Sequence, residues 1–345
     1  MKRIREYGIT IGTLPTGKRN EITDVAGVKV GHETISSGEV QTGVTAIIPA
    51  NDNLFQNKLI ATSHVFNGFG KTTGLVQLNE LGTLETPILL TNTLSVGTCT
   101  TALVRYMLDQ DETIGNSTGT VNPVVGECND MVLNNIRSLQ LSEEDALKAL
   151  QIAQEDVIEG SVGAGRGMIC FGLKGGIGTS SRKLTYEHGD YTIGVLVLSN
   201  FGKLEEFRLN GNQVGVQLRD RLNSDADETD KGSIMMIVAT DLPVTSQQLK
   251  RIVKRTGNGL SRTGSFMGNG SGDVAIGYST ANRVPHSSHI TQMTVVHEND
   301  LDQAFQAVTD ATEEAILNSM VMAETVTGRK ELTLHSLSNY IEEFI

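Results

Sequence analysis

Ser271 stands in the run GNGSGD, residues 268–273, with glycine at 268, 270 and 272 and a carboxylate two positions on at Asp273. A serine hydroxyl is a weak nucleophile at neutral pH unless a base stands beside it. The interleaved glycines open backbone angles closed to other residues, so the chain can bend tightly around that hydroxyl. A flexible tether would share this composition. It would not lead straight into DVAIGYST, the alternating run of residues 273–280, which reads as a strand. Seven histidines are scattered along the chain, and no Ser-His-acid triad can be picked out among them.

The elements that must position Ser271 are legible on both sides of it. Strands are predicted at 191–199, 233–240, 272–280 and 289–296, each short, apolar and bounded by turn formers. Ser142 followed by Glu143, Glu144 and Asp145 reads as a helix start, with Ala146, Leu147, Leu150, Ala153 and Val157 on one side. A second helix is predicted from near Ser246, ahead of a helical segment that ends near Arg262. A third covers about 301–323, with Leu301, Phe305, Val308, Ala315, Ile316 and Met320 as its buried stripe. Strands and helices mixed through the length predict an α/β or α+β layered fold. The acidic stretch 224–232 reads as a long surface loop.

Composition narrows the function classes. The 345 residues suit one large domain with an ample core. Forty acidic against 28 basic residues give a net charge of −12, with no basic block, so no nucleic-acid partner is expected. No run of eighteen apolar residues suggests a membrane span. Three widely spaced cysteines, Cys99, Cys128 and Cys170, and the lack of a signal-peptide pattern predict a cytoplasmic protein without a disulfide framework. Cys128 reads as a pocket-lining or buried inert thiol.

Some motif matches carry no chemistry. GNSTG at 115–119 fits a hydrolase elbow but lacks the strand before and the helix after. NGFGKTTG at 67–74 misses the first glycine of a phosphate loop, where Val65 stands. No carboxylate or cysteine completes a metal pattern around His286, His289 and His297, so no metal or cofactor is expected.

Seven stretches in order carry a resemblance: residues 20–35, 67–98, 123–136, 160–182, 195–202, 268–282 and 311–329. The chain resembles the DmpA-type aminopeptidases, the L-aminopeptidase/D-esterase and β-peptidyl aminopeptidase family, from about residue 8 to about residue 329. The resemblance implies an αββα sandwich and a homotetramer that acts on small peptides, amino-acyl amides or esters. It also implies a chain that cuts itself between Gly270 and Ser271, giving a large chain 1–270 and a small chain 271–345. The freed amine of Ser271 then serves its own hydroxyl as base.

By the same resemblance Asn200 in LSNFG helps hold the oxyanion, and Glu127 in GECND binds the substrate's free amino group. Met131 stands where the family often has an aromatic residue beside the substrate, and Thr312 and Glu314 match a Ser-x-Glu pair that orients the nucleophile. Read as residues alone, Asn200 fits the commoner fate of an Asn before Phe201-Gly202, a strand-end turn former, and Glu127 that of a Glu, a solvated surface group. Two other readings of the whole stay open: an acyltransferase of the ornithine-acetyltransferase type, which passes the acyl group to an amine, and a non-catalytic protein whose glycine loops cradle an anion.

Overall fold

Two sheets stack face to face in the computed structural model, which describes residues 1–222 and 232–345. The loop expected at 224–232 therefore lies, but for Gly232, outside the described residues. One sheet sets Lys29–Ser37, Val40–Ile48, Ile88–Asn92 and Val124–Cys128 side by side in that order. The other runs Thr83–Leu84, Asn57–Gly68, Gly272–Pro285, Ser233–Thr240, Gly189–Asn200 and Gly176–Tyr186.

Alternation along the strands sorts the side chains into layers. Ile47, Ile88, Leu90 and Val124 of the first sheet meet Leu196, Leu198, Met235, Ile237 and Ile276 of the second in an inter-sheet core. Val44, Leu89 and Val125 point the other way, against Cys99 and Leu103 of helix Val96–Gln110 and Ala146 and Leu150 of helix Glu143–Gln151. Val195, Val197, Met236 and Val238 meet helices Ser246–Val253, Thr256–Arg262 and Leu301–Val321. The order of layers is helix, sheet, sheet, helix, as the resemblance implies.

Ser142 caps its helix as expected, its hydroxyl accepting the Asp145 N–H at 3.3 Å while the Asp145 carboxylate accepts the Ser142 N–H at 2.9 Å. The helix stops at Gln151, short of Ala153 and Val157, because Gln154 exchanges both backbone bonds with Val30 (2.9 and 3.0 Å) at the sheet edge. The strand expected at 289–296 does not form. Thr294 is instead held by the side chain of Asn282, through its N–H at 3.0 Å and its carbonyl at 2.9 Å, so those groups are unavailable to a ladder.

The strand pairing that matters for the site is central. Ser233–Thr240 runs parallel to Gly272–Pro285 with Ser233 opposite Gly272, and antiparallel to Gly189–Asn200 with Ser233 opposite Asn200. On the other flank Asp273 pairs with Asn67 and Val274 with Val65, a bulge that leaves Phe66 as the extra residue.

Candidate active site

Ser271 closes a turn at the entry to the central strand: its N–H donates to Gly268 O at 2.9 Å. The hydroxyl, 1% exposed as a residue, donates to Asp273 Oδ1 at 2.7 Å. Asn67, brought alongside by the bulged pairing, donates its amide to the carbonyls of Gly268 at 3.0 Å and Asn269 at 3.2 Å, and to that of Ser271. Gly272 must be glycine for reasons of space, since a methyl group there would stand 2.7 Å from Phe69 O.

Glu127 comes from the edge strand of the other sheet and is 4% exposed. One carboxylate oxygen accepts the Lys71 N–H at 2.9 Å and the other accepts the Thr93 hydroxyl. Gly70 lies between this carboxylate and the serine loop: a methyl on it would stand 3.4 Å from Glu127 Oε1 and 3.9 Å from Gly272 Cα. The segment 67–71 thus touches both the serine turn, through Asn67, and the Glu127 carboxylate, through the Lys71 N–H.

Asn200 ends its strand level with Ser233 and, beyond it, Gly272. Two strand spacings put its backbone about 10 Å from the serine strand. Its Oδ1 accepts the Ile169 N–H at 2.9 Å and its Nδ2 donates to Asn129 O at 3.0 Å. That fixes the amide so that the NH2 end faces the 129–131 loop. Met131, on the same loop, is 46% exposed, and its carbonyl accepts from Arg329 at 3.0 Å. Asp130 between them is buried, which pushes its carboxyl up to about 7 against hydrogen bonds from Asn134 and Thr42 that favour ionisation. The Cys128 thiol is raised well above its usual range, chiefly by burial, which suits the inert role.

The expected orienting pair is not assembled at Ser271. On a helix, residues two apart point to different sides. Thr312 donates to Val308 O at 2.6 Å and packs against Gly259. Glu314 instead meets Arg182 at 2.6 Å and Arg5 at 2.7 Å. Arg182 lies level with Ile193, Thr240 and Ser279, seven residues along the central strand from Gly272, or about 23 Å. Burial would raise the Glu314 pKa, but the two guanidiniums override it and hold it below the usual carboxylate value.

Sequence reasoning missed Asn67, Thr93 and the Lys71 amide. Asn67 was visible only as part of a near-miss motif, and its partners lie some 200 residues away along the chain. Among the described residues no cluster of three or more His, Cys, Asp or Glu is placed to hold a metal ion, and no helix among them is long and apolar enough to cross a membrane.

A four-layer sandwich of two stacked sheets between helical layers is the architecture of an N-terminal-nucleophile type of hydrolase. The family model described as peptidase family S58 matches residues 20–334. Over 97% of its length the chain is 38% identical to the β-peptidyl aminopeptidase BapA of Sphingosinicella microcystinivorans, covering 89% of that protein. It is similarly 34% identical to BapA of Sphingosinicella xenopeptidilytica, with 97% of this chain and 88% of that one covered. Among solved structures it superposes on the PH0078 protein of Pyrococcus horikoshii OT3 with a TM-score of 0.95 and 45% identity, covering 99% and 98% of the two chains. The L-aminopeptidase D-Ala-esterase/amidase of Ochrobactrum anthropi, a prototype serine aminopeptidase and a variant of the Ntn hydrolase fold, matches with a TM-score of 0.90 and 35% identity, covering 98% and 96%. The chain belongs to peptidase family S58 and is a serine-type aminopeptidase.

Proposed function

We propose that the chain cleaves its own Gly270–Ser271 bond and that the freed Ser271 releases the first residue of short peptides, amino-acyl amides and esters. A terminal amine has a reference pKa of about 7.7–8.0, so a useful fraction is neutral near pH 7. It sits on the same residue as the hydroxyl, so its position is built in. The amine takes the Oγ proton, Oγ attacks the carbonyl after the substrate's first residue, and the amine then protonates the leaving nitrogen. Water releases the acyl group from Oγ.

Asn200 is assigned to the oxyanion. One amide hydrogen is spent on Asn129 O, and the second is available for developing charge. Removing such a donor typically costs about 2.7–4 kcal/mol of transition-state stabilisation. Glu127 is assigned to the substrate ammonium and Met131 to its side chain. Thr312 and Glu314 enter this reading only through the helix they stabilise. The observation that supports it is that Gly70 lies against both the Glu127 carboxylate and Gly272, the residue that follows Ser271. A cytoplasmic homotetramer completes the reading; closed symmetry is the usual outcome for soluble oligomers.

A denaturing gel with a p-nitroanilide assay tests it. The parent should give two bands, the smaller being residues 271–345, about a fifth of the chain. Ser271→Ala should give one full-length band and no release of p-nitroaniline. A Ser271→Ala protein that is both cut and active ends the proposal.

A further inference from the structure

We infer that the buried ammonium of Lys174 aims and polarises the Asn200 amide, and so is a positioning residue for the oxyanion. This rests on the assignment of Asn200 above. Lys174 is 0% exposed, and its Nζ donates to three backbone carbonyls, Gly165 at 2.9 Å and Met168 and Gly175 at 2.8 Å each. Three carbonyls match the three hydrogens of an ammonium, whereas a neutral amine would leave one of them without a donor. Burial first, and then the Arg166 guanidinium, pull the Lys174 pKa well below its usual value; hydrogen bonds made by the charged form act the other way. A buried charge costs a fold stability, and sequences depart from that rule mainly at functional sites.

What the ammonium touches leads to Asn200. The Met168 carbonyl belongs to the peptide unit whose N–H, on Ile169, donates to Asn200 Oδ1 at 2.9 Å. One line of hydrogen bonds therefore runs from Nζ through the Met168–Ile169 peptide into the Asn200 side chain. Amide groups are conjugated, so density drawn toward each oxygen leaves the N–H beyond it more positive, and successive bonds strengthen one another. The Gly175 N–H adds to the pull, reaching the same Met168 oxygen at 2.9 Å. At the far end stands the Asn200 NH2, with one hydrogen on Asn129 O and the other assigned to the oxyanion. The hairpin also fixes position. Ile169 lies opposite Lys174 in its short ladder, and Phe171 in the turn donates its N–H to Phe201 O at 2.8 Å. Asn200 is thus held by its side chain and its neighbour by the backbone. Every donor of this clamp lies in the glycine-rich stretch 160–182.

Steady-state hydrolysis of an amino-acyl p-nitroanilide, with urea melts to check folding, separates this role from a purely structural one. Loss of one oxyanion donor costs about 100- to 1,000-fold in kcat, which sets the ceiling. Lys174→Met keeps most of the side-chain length and removes the charge. It should lower kcat by about 10- to 100-fold and leave KM within about threefold, the mark of an interaction made in the transition state. In an Asn200→Ala background the same substitution should cost less than about threefold, because the line then has no amide to act on. Ile169→Pro cuts the line without touching the ammonium, by removing the N–H that donates to Asn200 Oδ1. Met168 has φ −85° and ψ 148°, a conformation that a following proline tolerates. This variant should fall in kcat alongside Lys174→Met, and it decides the matter if Lys174→Met shows no cooperative melt. Parental kcat in a folded Lys174→Met or in Ile169→Pro overturns the inference, and so do losses that multiply in full with that of Asn200→Ala. Parental kcat in Asn200→Ala itself would instead overturn the oxyanion assignment.

Discussion

Arg182 and Glu314 form an ion pair at 2.6 Å with both side chains wholly buried. The pair clamps the Leu301–Val321 helix to the edge strand Gly176–Tyr186, and Arg5 adds a second guanidinium to the same carboxylate. Removing one partner of such a pair leaves an uncompensated buried charge, at a cost of about 3–5 kcal/mol. Glu314→Gln should therefore lower the unfolding free energy by that order at neutral pH. The folded carboxyl lies below its ordinary value, so its stabilisation is present above the unfolded pKa of about 4.3 and is lost as pH falls through the lower folded value. The gap between parent and variant should narrow in acid, measured by chemical denaturation from pH 7 down to pH 3. A variant of parental stability with abolished hydrolysis would return Glu314 to the catalytic site.

Asp130 gives the opposite pH signature. Burial raises its folded carboxyl to about 7, above the unfolded value of about 3.9. Between those limits the folded chain holds more protons than the unfolded one, so this group makes stability fall as pH rises from about 4 to about 7. The slope reaches at most about 1.4 kcal/mol per pH unit, and the curve is flat above that window. Asp130→Asn removes the titration while keeping a polar partner for Thr42 and Asn134. The stability difference, variant minus parent, should therefore grow from pH 4.5 to pH 7.5 in urea titrations. A difference independent of pH across that range would mean that Asp130 ionises like an exposed carboxylate.

Local signals are legible in the chain and long-range ones are not. Ser233–Thr240 and the onset of the strand at Gly272 follow from continuous apolar runs bounded by turn formers. The Ser142 cap follows from its spacing to Asp145. What could not be read depends on register: Asn67 reaches the 268–271 turn only because the central strand pairs with Asn57–Gly68 through a bulge. The Glu314 expectation rested on a motif match, and its true partner lies 132 residues away. At 289–296 β-propensity is present, but the Asn282 side chain takes the backbone groups of Thr294 that a ladder would need.

Under the proposed reading Glu127 binds the substrate's ammonium, and a pair of variants tests that role. Its carboxylate already accepts the Lys71 N–H and the Thr93 hydroxyl, which fix its position and leave lone pairs for a third donor. A hydrogen bond to a charged group contributes about 1.5–3 kcal/mol, equivalent to roughly 10- to 150-fold in kcat/KM. Glu127→Gln should lose that much on amino-acyl p-nitroanilides, while N-acetylated esters, which bring no ammonium, lose little. Gly70→Ala approaches the same contact from the other side. Its methyl, 3.4 Å from Glu127 Oε1 and 3.9 Å from Gly272 Cα, makes ordinary van der Waals contact and should leave folding intact. It would occupy the space where the ammonium must sit, so free-amine substrates should again suffer more than blocked esters. Equal losses on both substrate types in either variant would remove Glu127 from amine recognition and leave it as a brace for the 67–71 segment.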